Sequence, residues 1–406
     1  MPRAGNLKYK NMKRRDFITR GSLATIGLAA VPGGLGVPSF LGANKKINIG
    51  VIGTGVRGTG IIHFLNQIEN VQVTACCDVL PFRLEEGLLA ANGTAKTYTD
   101  YRKLLDNRDV DAVIVSTPFY SHGGISLDAL DAGKHVYSEK TMAKGYEDIR
   151  NVVAAAGNSS RIFQTGHQYH SSRLYTHVVE LIKQGKVGKI AAIECQWNRN
   201  GDWRREVPDP SLERAINWRM YREFSGGLPA ELCAHQIDFT NWVLGATPEK
   251  VMGMGGVDYW KDGRETFDNV HLMYQYPQGV KAKFTCLTSN AKDGYAIKVI
   301  GDKGTILLDY RNAWFYPEKG EDKLTGTIDG ISGATMQWDP EKGIPIEVEH
   351  ADPTKQALMD FRDNILNNTM PESNVTTGAN AAIAVQMALD AMQTGEAVSW
   401  EEEVVV

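Results

Sequence analysis

Three sets of residues in this 406-residue chain have types and spacings suited to chemistry. The first is Gly53-Thr54-Gly55-Val56-Arg57-Gly58, a G-x-G-x-x-G run. It follows an apolar stretch, Ile47-Asn48-Ile49-Gly50-Val51-Ile52, and precedes an amphipathic one, residues 59–68. Strand, glycine turn and helix in that order form a dinucleotide-binding fingerprint. Gly53 permits the tight turn, Gly55 lets the backbone approach a pyrophosphate, and Gly58 lets helix and strand pack closely. The helix N-terminus, with Thr54, Val56 and Arg57 beside it, then faces the phosphates. The second is Asp78, which ends the next strand, residues 71–78. A carboxylate there accepts both ribose hydroxyls and repels a 2′-phosphate. Val79 and Leu80 follow it rather than arginine, so the pattern favours NAD over NADP. Its other role would be to cap a helix starting at Pro81. The third set is Glu231 and His235, which share one face of a helix at i and i+4.

The elements that must position these groups alternate. Strands are expected over residues 110–115, 135–138 and 161–164, with helices over 121–132 and 145–159. Repeated βα units imply a doubly wound parallel sheet with ligands at the carboxyl ends of its strands. Asp78, Thr117 and Glu139-Lys140 all fall at such ends. The fold class is therefore α/β: a Rossmann dinucleotide-binding domain over residues 44–165. A substrate-binding and oligomerisation α+β domain with a mostly antiparallel open sheet follows over 166–406. Its expected strands are 190–197, 250–257, 270–276, 280–288, 296–300 and 305–310, with helices at 171–184, 355–366 and 378–394.

Gly53–Gly58, Ser116-Thr117-Pro118, His122 and Glu139-Lys140 together resemble the glucose–fructose oxidoreductase/inositol dehydrogenase (Gfo/Idh/MocA) family over roughly residues 45–400. In that family a Glu-Lys-Pro follows the fifth strand, and its lysine lies beside the nicotinamide. Here Thr141 replaces the proline. The family's second signature is G-G-x-x-x-D-x-x-x-H. This chain has Gly226-Gly227-Leu228-Pro229-Ala230-Glu231-Leu232-Cys233-Ala234-His235, with Glu231 in place of the aspartate. The resemblance implies NAD-dependent oxidation of a CH–OH group. Ser116, Thr117, Pro118, His122 and Glu139 would flank the cofactor, and Lys140, His235 and Glu231 would form the catalytic set. The residue types suit that chemistry. A histidine with an ordinary pKa near 6.5 can take the hydroxyl proton, and a lysine can stabilise the alkoxide. The alternatives are a core histidine for His235 and a salt-bridged helix carboxylate for Glu231.

A long polar loop, residues 198–221, holds Trp203, Arg204, Trp218 and Arg219, and Gly166-His167-Gln168-Tyr169-His170 marks the domain junction. Aromatics stack on the apolar face of a sugar and arginines bond its hydroxyls. His167, Tyr169, Trp203, Arg204, Trp218 and Arg219 are therefore the expected carbohydrate-binding residues. The loop could instead be a surface or subunit contact. The histidines lack the acidic or cysteine companions of a metal set. A redox-neutral NAD-dependent glycosidase and a non-catalytic sugar-binding protein are the competing functions.

Composition sets outer limits. Hydrophobic residues at 42% and charged residues at 23% describe a globular chain. The formal charge of −4 lacks the basic footprint of a nucleic-acid binder, and no 18-residue apolar run marks a membrane span. The five cysteines have neither disulfide nor metal spacing and read as buried thiols. Residues 1–43 read as an address: Lys13-Arg14-Arg15-Asp16-Phe17-Ile18, an uncharged apolar stretch at 21–31, then small residues to Ala43. The paired arginines resemble a twin-arginine export signal, which implies a periplasmic or extracytoplasmic protein. An enzyme exported folded can carry its cofactor along, and the resemblance further implies a homo-oligomer, a dimer or tetramer.

Overall fold

The computed structural model describes residues 46–318, 343–349 and 351–401. The expected signal segment, residues 1–43, lies outside the described residues. The first sheet is built from β1 (Ile47–Ile52), β2 (Val71–Cys77), β3 (Lys96–Tyr98), β4 (Ala112–Val115), β5 (His135–Ser138) and β6 (Phe163–Thr165). All its pairings are parallel, in the order β3-β2-β1-β4-β5-β6. β1 and β4 are apolar along nearly their whole length because helices cover both faces. Those helices are α1 (Val56–Leu65), α2 (Pro81–Ala90), α3 (Tyr101–Leu105), α4 (His122–Asp131) and α5 (Tyr146–Gly157). The strand order reverses between β1 and β4, which opens a crevice at their carboxyl ends.

The second sheet has nine strands. They are β7 (Ile190–Trp197), β8 (Lys250–Gly256), β9 (Asn269–Gln275), β10 (Lys281–Leu287), β11 (Tyr295–Gly301), β12 (Gly304–Leu308), β13 (Ala313–Pro317), β14 (Ile344–Ile346) and β15 (Val398–Ser399). The order is β14-β13-β12-β11-β7-β10-β9-β8-β15, and only the β7–β10 pair is parallel. Val270, Leu272 and Tyr274 of β9 point inward, opposite Ala282, Phe284 and Cys286 of β10. This period of two marks a sheet covered on one face. Helices α6 (Arg173–Lys183), α7 (Ala234–Leu244) and α9 (Val375–Thr394) belong to this half. Gln236 Nε2 of α7 donates to the main-chain carbonyls of Gln196 and Ala296, and Tyr274 Oη donates to Ala384 O on α9.

Helix α8 (Pro353–Asn367) departs from sequence order. Asp352 caps it by accepting from Thr354 N and Lys355 N. Its Ala357, Leu358 and Phe361 then pack into the core of the first sheet, beside Ile61, Leu65 and Tyr137. The five cysteines are free and buried. No helix among the described residues is long and apolar enough to cross a membrane.

Candidate active site

The carboxyl edge of the first sheet and the 198–221 loop enclose a cleft of about 1560 Å3. Backbone bonds fix its floor: Gly53 N donates to Cys77 O, Ser116 N to Ile52 O and Glu139 N to Val115 O. Gly53 has φ of 90°, and a β-carbon on Gly58 would sit 1.9 Å from Gly53 O. Both positions therefore require glycine. A β-carbon on Gly55, in contrast, would meet nothing within 4 Å, so the backbone there is open to the cleft. Asp78 Oδ2 accepts from Thr54 N and Oδ1 from Leu80 N, each at 2.9 Å. Burial pushes its pKa up, and those N–H donors oppose the rise. The open glycine turn, the start of α1 and a placed carboxylate fit an adenine dinucleotide.

The expected cofactor residues divide by position. Gly53, Gly55, Val56, Arg57, Asp78, Ser116, Thr117, Pro118, His122, Glu139 and Lys140 line the cleft. Thr54 and Gly58 do not; Thr54 is buried, with Oγ1 donating to Arg83 O. Arg57 does not wait for phosphate: its guanidinium lies 2.7 Å from Glu139 and reaches Gln168 and Thr354. Burial disfavours the Arg57 cation, but Glu139 outweighs it and raises the pKa. His122 is a buried strut, with Nδ1 2.8 Å from Thr141 O and Nε2 2.8 Å from Thr117 O.

Lys140 meets Glu231 through an unusual turn. Pro229–Cys233 forms a π-helical turn before α7. Such a turn breaks the regular ladder and leaves carbonyls for other donors. Lys140 Nζ donates to Glu231 O at 2.8 Å and to Ala230 O at 3.3 Å, leaving one N–H for a ligand. Burial lowers the pKa of Lys140, partly offset by Glu231 and Glu139. The Lys140–Thr141 peptide is cis. Thr141 Oγ1 donates to Ala230 O, a bond that proline could not make. Arg219 Nε donates to Glu231 Oε2 at 2.8 Å. Burial opposes ionisation of Glu231, but Arg219 and Lys140 overcome it and hold the carboxyl below its usual range.

His235 lines the cleft and is otherwise enclosed, with ring centroids of Tyr169 at 5.1 Å, Trp197 at 5.9 Å and His167 at 6.1 Å. Its Nδ1 has no hydrogen-bond partner among the described residues. Burial, then the charge of Lys140, holds its pKa well below 6.5, so the ring is neutral near neutral pH.

The expected carbohydrate residues split too. Trp203, Trp218 and Arg219 line the cleft, and Trp203 holds a φ of 64° that such a side chain rarely adopts. Arg204 lines it as well, but its donors go to Glu213 and Asp262, so it braces the loop. His167 and Tyr169 do not line the cleft. His167 is wholly buried against Thr165, and Tyr169 is stacked on Tyr175 at 4.2 Å behind His235. Burial raises the Tyr169 pKa well above 10, which removes it as a base. Both support the histidine from behind.

Sequence reasoning missed Gln168, Trp197, Arg199 and Tyr310, which line the cleft together with Arg205 of the expected polar loop. Asp238, one turn past His235, is also new: it pairs with buried His170 at 3.0 Å. The Gly166–His170 run was signal enough for Gln168 and the 198–221 loop for Arg199, while Trp197 gave only the end of a strand. Among the described residues no group of three His, Cys, Asp or Glu side chains is arranged to hold a metal ion.

Comparison with known proteins identifies the two halves. Residues 47–167 match the model of an oxidoreductase family's NAD-binding Rossmann fold, and residues 179–399 match the same family's C-terminal alpha/beta domain. The chain belongs to the Gfo/Idh/MocA oxidoreductase family. Among relatives, the 2,7-anhydro-N-acetylneuraminate hydratase of Escherichia coli is 27% identical, over 86% of this chain and 94% of that protein. The myo-inositol 2-dehydrogenase of Thermotoga maritima is 26% identical, over 65% of this chain and 75% of that one. A levoglucosan dehydrogenase solved with NADH and levoglucosan shares the fold with a TM-score of 0.71. It is 17% identical, over 87% of this chain and 99% of that one. The chain is therefore a member of an oxidoreductase family, and its first domain is an NAD-binding Rossmann fold.

Proposed function

We propose that this protein oxidises a secondary hydroxyl of a sugar, glycoside or polyol with a tightly held NAD. The observation that carries the reading is the convergence of Lys140 and His235 in one cleft with the nucleotide turn. The nicotinamide, when bound, supplies the hydride acceptor. His235, kept neutral by burial, takes the hydroxyl proton. The remaining N–H of Lys140 donates to the oxygen as charge develops on it. Glu231 stays ionised on Arg219 and carries no proton to give, so it orients the arginine and the π-turn. Trp203 and Trp218 offer faces for the ring. Asp78 supports NAD over NADP, since a 2′-phosphate would meet a carboxylate. Purified protein should reduce its nicotinamide with a member of a sugar and polyol panel; failure across the panel, with cofactor bound, would sink the reading.

A redox-neutral cycle is the second reading, favoured by the E. coli relative, whose hydratase reaction has no net oxidation. In that case an anhydro or glycosidic bond is opened with no net change in NADH. Denaturing the protein as purified and weighing the released nucleotide tests the tight cofactor.

Two further proposals concern location and assembly. Arg14-Arg15 ahead of Phe17-Ile18 supports export through the twin-arginine route; replacing both with lysine should keep the protein in the cytoplasm. Met252, Met254 and Met273 stand exposed on the outer face of β8 and β9, which suits a second copy of this chain. Light scattering should then report a dimer or tetramer.

A further inference from the structure

Most basic side chains that line the cleft already have acidic partners: Arg57 has Glu139, Arg204 has Glu213 and Asp262, Arg214 has Glu223 and Arg219 has Glu231. Arg199 is different. Its guanidinium lies 5.5 Å from the Trp197 ring and 5.9 Å from the Trp203 ring. Its only hydrogen bond to a described residue runs from its main-chain N to Leu287 O. That bond, Gly201 N to Thr288 O and the Asn200–Ser289 bridge pin the backbone to the end of β10. The side chain therefore projects, exposed, from a fixed stem beside two indoles that offer no acceptor for its five N–H donors.

Its place relative to the chemistry is defined. Trp197 is a shared neighbour: its ring lies 5.5 Å from the Arg199 guanidinium and 5.9 Å from the His235 ring. Through that shared indole the cation, which has no acidic partner among the described residues, stands near the candidate base in the same cleft. Arg205 also lacks an acidic partner among the described residues; its backbone is tied to Asn217, whose Oδ1 accepts from Arg205 N and whose Nδ2 donates to Arg205 O. The cofactor's diphosphate belongs at the start of α1, so it leaves Arg199 unmatched.

We propose that Arg199 is the anchor for a carboxylate on the substrate, and that the sugar this enzyme takes is a sugar acid. A stacked guanidinium is weakly hydrated and presents a planar fork that matches a carboxylate at two points. Trp197 and Trp203 flank that fork, and a ligand anchored there shares one cleft with His235 and Lys140. The proposal rests on the sugar oxidoreductase reading for the nature of the ligand, but not for the anion site.

The test is calorimetry on the full chain loaded with NAD, using matched probes. These are D-glucuronate against D-glucose, D-galacturonate against D-galactose, and N-acetylneuraminate against its methyl ester. At least one acid should bind about 10- to 100-fold more tightly than its neutral partner. Arg199→Gln should bring that ratio close to one, Arg199→Lys should keep part of it, and added salt should weaken the acid alone. Unchanged melting temperature in Arg199→Gln shows that the fold is intact. Neutral sugars binding as well as acids, no acid binding at all, or a ratio preserved in Arg199→Gln would each overturn the proposal. Nicotinamide reduction is read separately. Acid preference without oxidation of any probe would remove the dehydrogenase reading and leave the anion site. Oxidation of neutral sugars alone would do the reverse.

Discussion

Lys140 Nζ lies 2.8 Å from the main-chain carbonyl oxygen of Glu231, while the carboxylate of the same residue turns away to Arg219. The two ends of Glu231 thus serve different partners. Glu231→Gln should leave the lysine anchored but weaken the hold on Arg219, lowering turnover moderately, by about 10-fold. Lys140→Met removes the donor to the alkoxide and should lower kcat by about 100-fold or more. NAD affinity, measured by fluorescence titration, should stay near the parent value in Glu231→Gln. Equal losses in the two variants would mean that the carboxylate matters as much as the ammonium, against its assignment as a positioning group.

His235 is held neutral by burial and by the neighbouring Lys140 charge. A base with a lowered pKa stays competent at lower pH. The acid limb of kcat/KM from this residue should therefore lie well below pH 6.5 rather than at it. His235→Asn should cut turnover by about 100- to 10,000-fold and abolish that limb. A full limb centred at 6.5 in the parent enzyme would assign the proton to another group.

Asp78 already accepts two backbone N–H bonds, so its oxygens are fixed before any ribose arrives. Asp78→Ala should weaken NAD binding by about 10- to 100-fold and narrow the preference over NADP. Dissociation constants for both nucleotides decide this; an unchanged ratio would reduce Asp78 to a brace between the Thr54 and Leu80 backbones.

His135 Nδ1 accepts from Ile162 N, and burial with Arg161 nearby pushes its pKa down to about 4. The unfolded chain binds this proton near pH 6.5, but the folded chain binds it only near 4. Stability from this site is full above 6.5 and drains away as pH falls toward 4. His135→Gln should flatten the fall in melting temperature over that interval. Parallel melting curves for parent and variant would contradict the assignment.

Phe361 is fully buried, with its ring 5.7 Å from that of Tyr137 on β5. Phe361→Ala should cost about 3–5 kcal/mol by leaving a cavity. Chemical denaturation measures it directly. The first domain, read through nucleotide release, should loosen along with the rest.

The nucleotide half was legible because local signals and the global fold agree there. The apolar run of β1, the glycine spacing and Asp78 each point to the same crevice. Strand His135–Ser138 and the placement of Lys140 at its end follow from the same alternation. The short edge strands β14 and β15 were not legible, since three and two residues carry no periodicity. Nor was the fate of Arg204, whose partner Asp262 is 58 residues away. His167 and Tyr169 looked available because polar residues at a domain junction so often are. Their burial depends on packing against Thr165 and Tyr175, which composition does not reveal. The π-helical turn at Pro229–Cys233 has no sequence pattern distinct from an ordinary helix start.

Helix α8 gives the molecule an order of assembly. Its Thr354 touches Arg57 of the nucleotide turn, and its Ala357 carbonyl takes a bond from Gln164 Nε2 on β6. A ribosome releases β1 long before it releases this helix, so the first domain stays unfinished through most of synthesis. The nucleotide groove is completed only when nearly the whole chain has emerged. Ending translation ahead of Pro353 would open the first half of the protein rather than shorten the second.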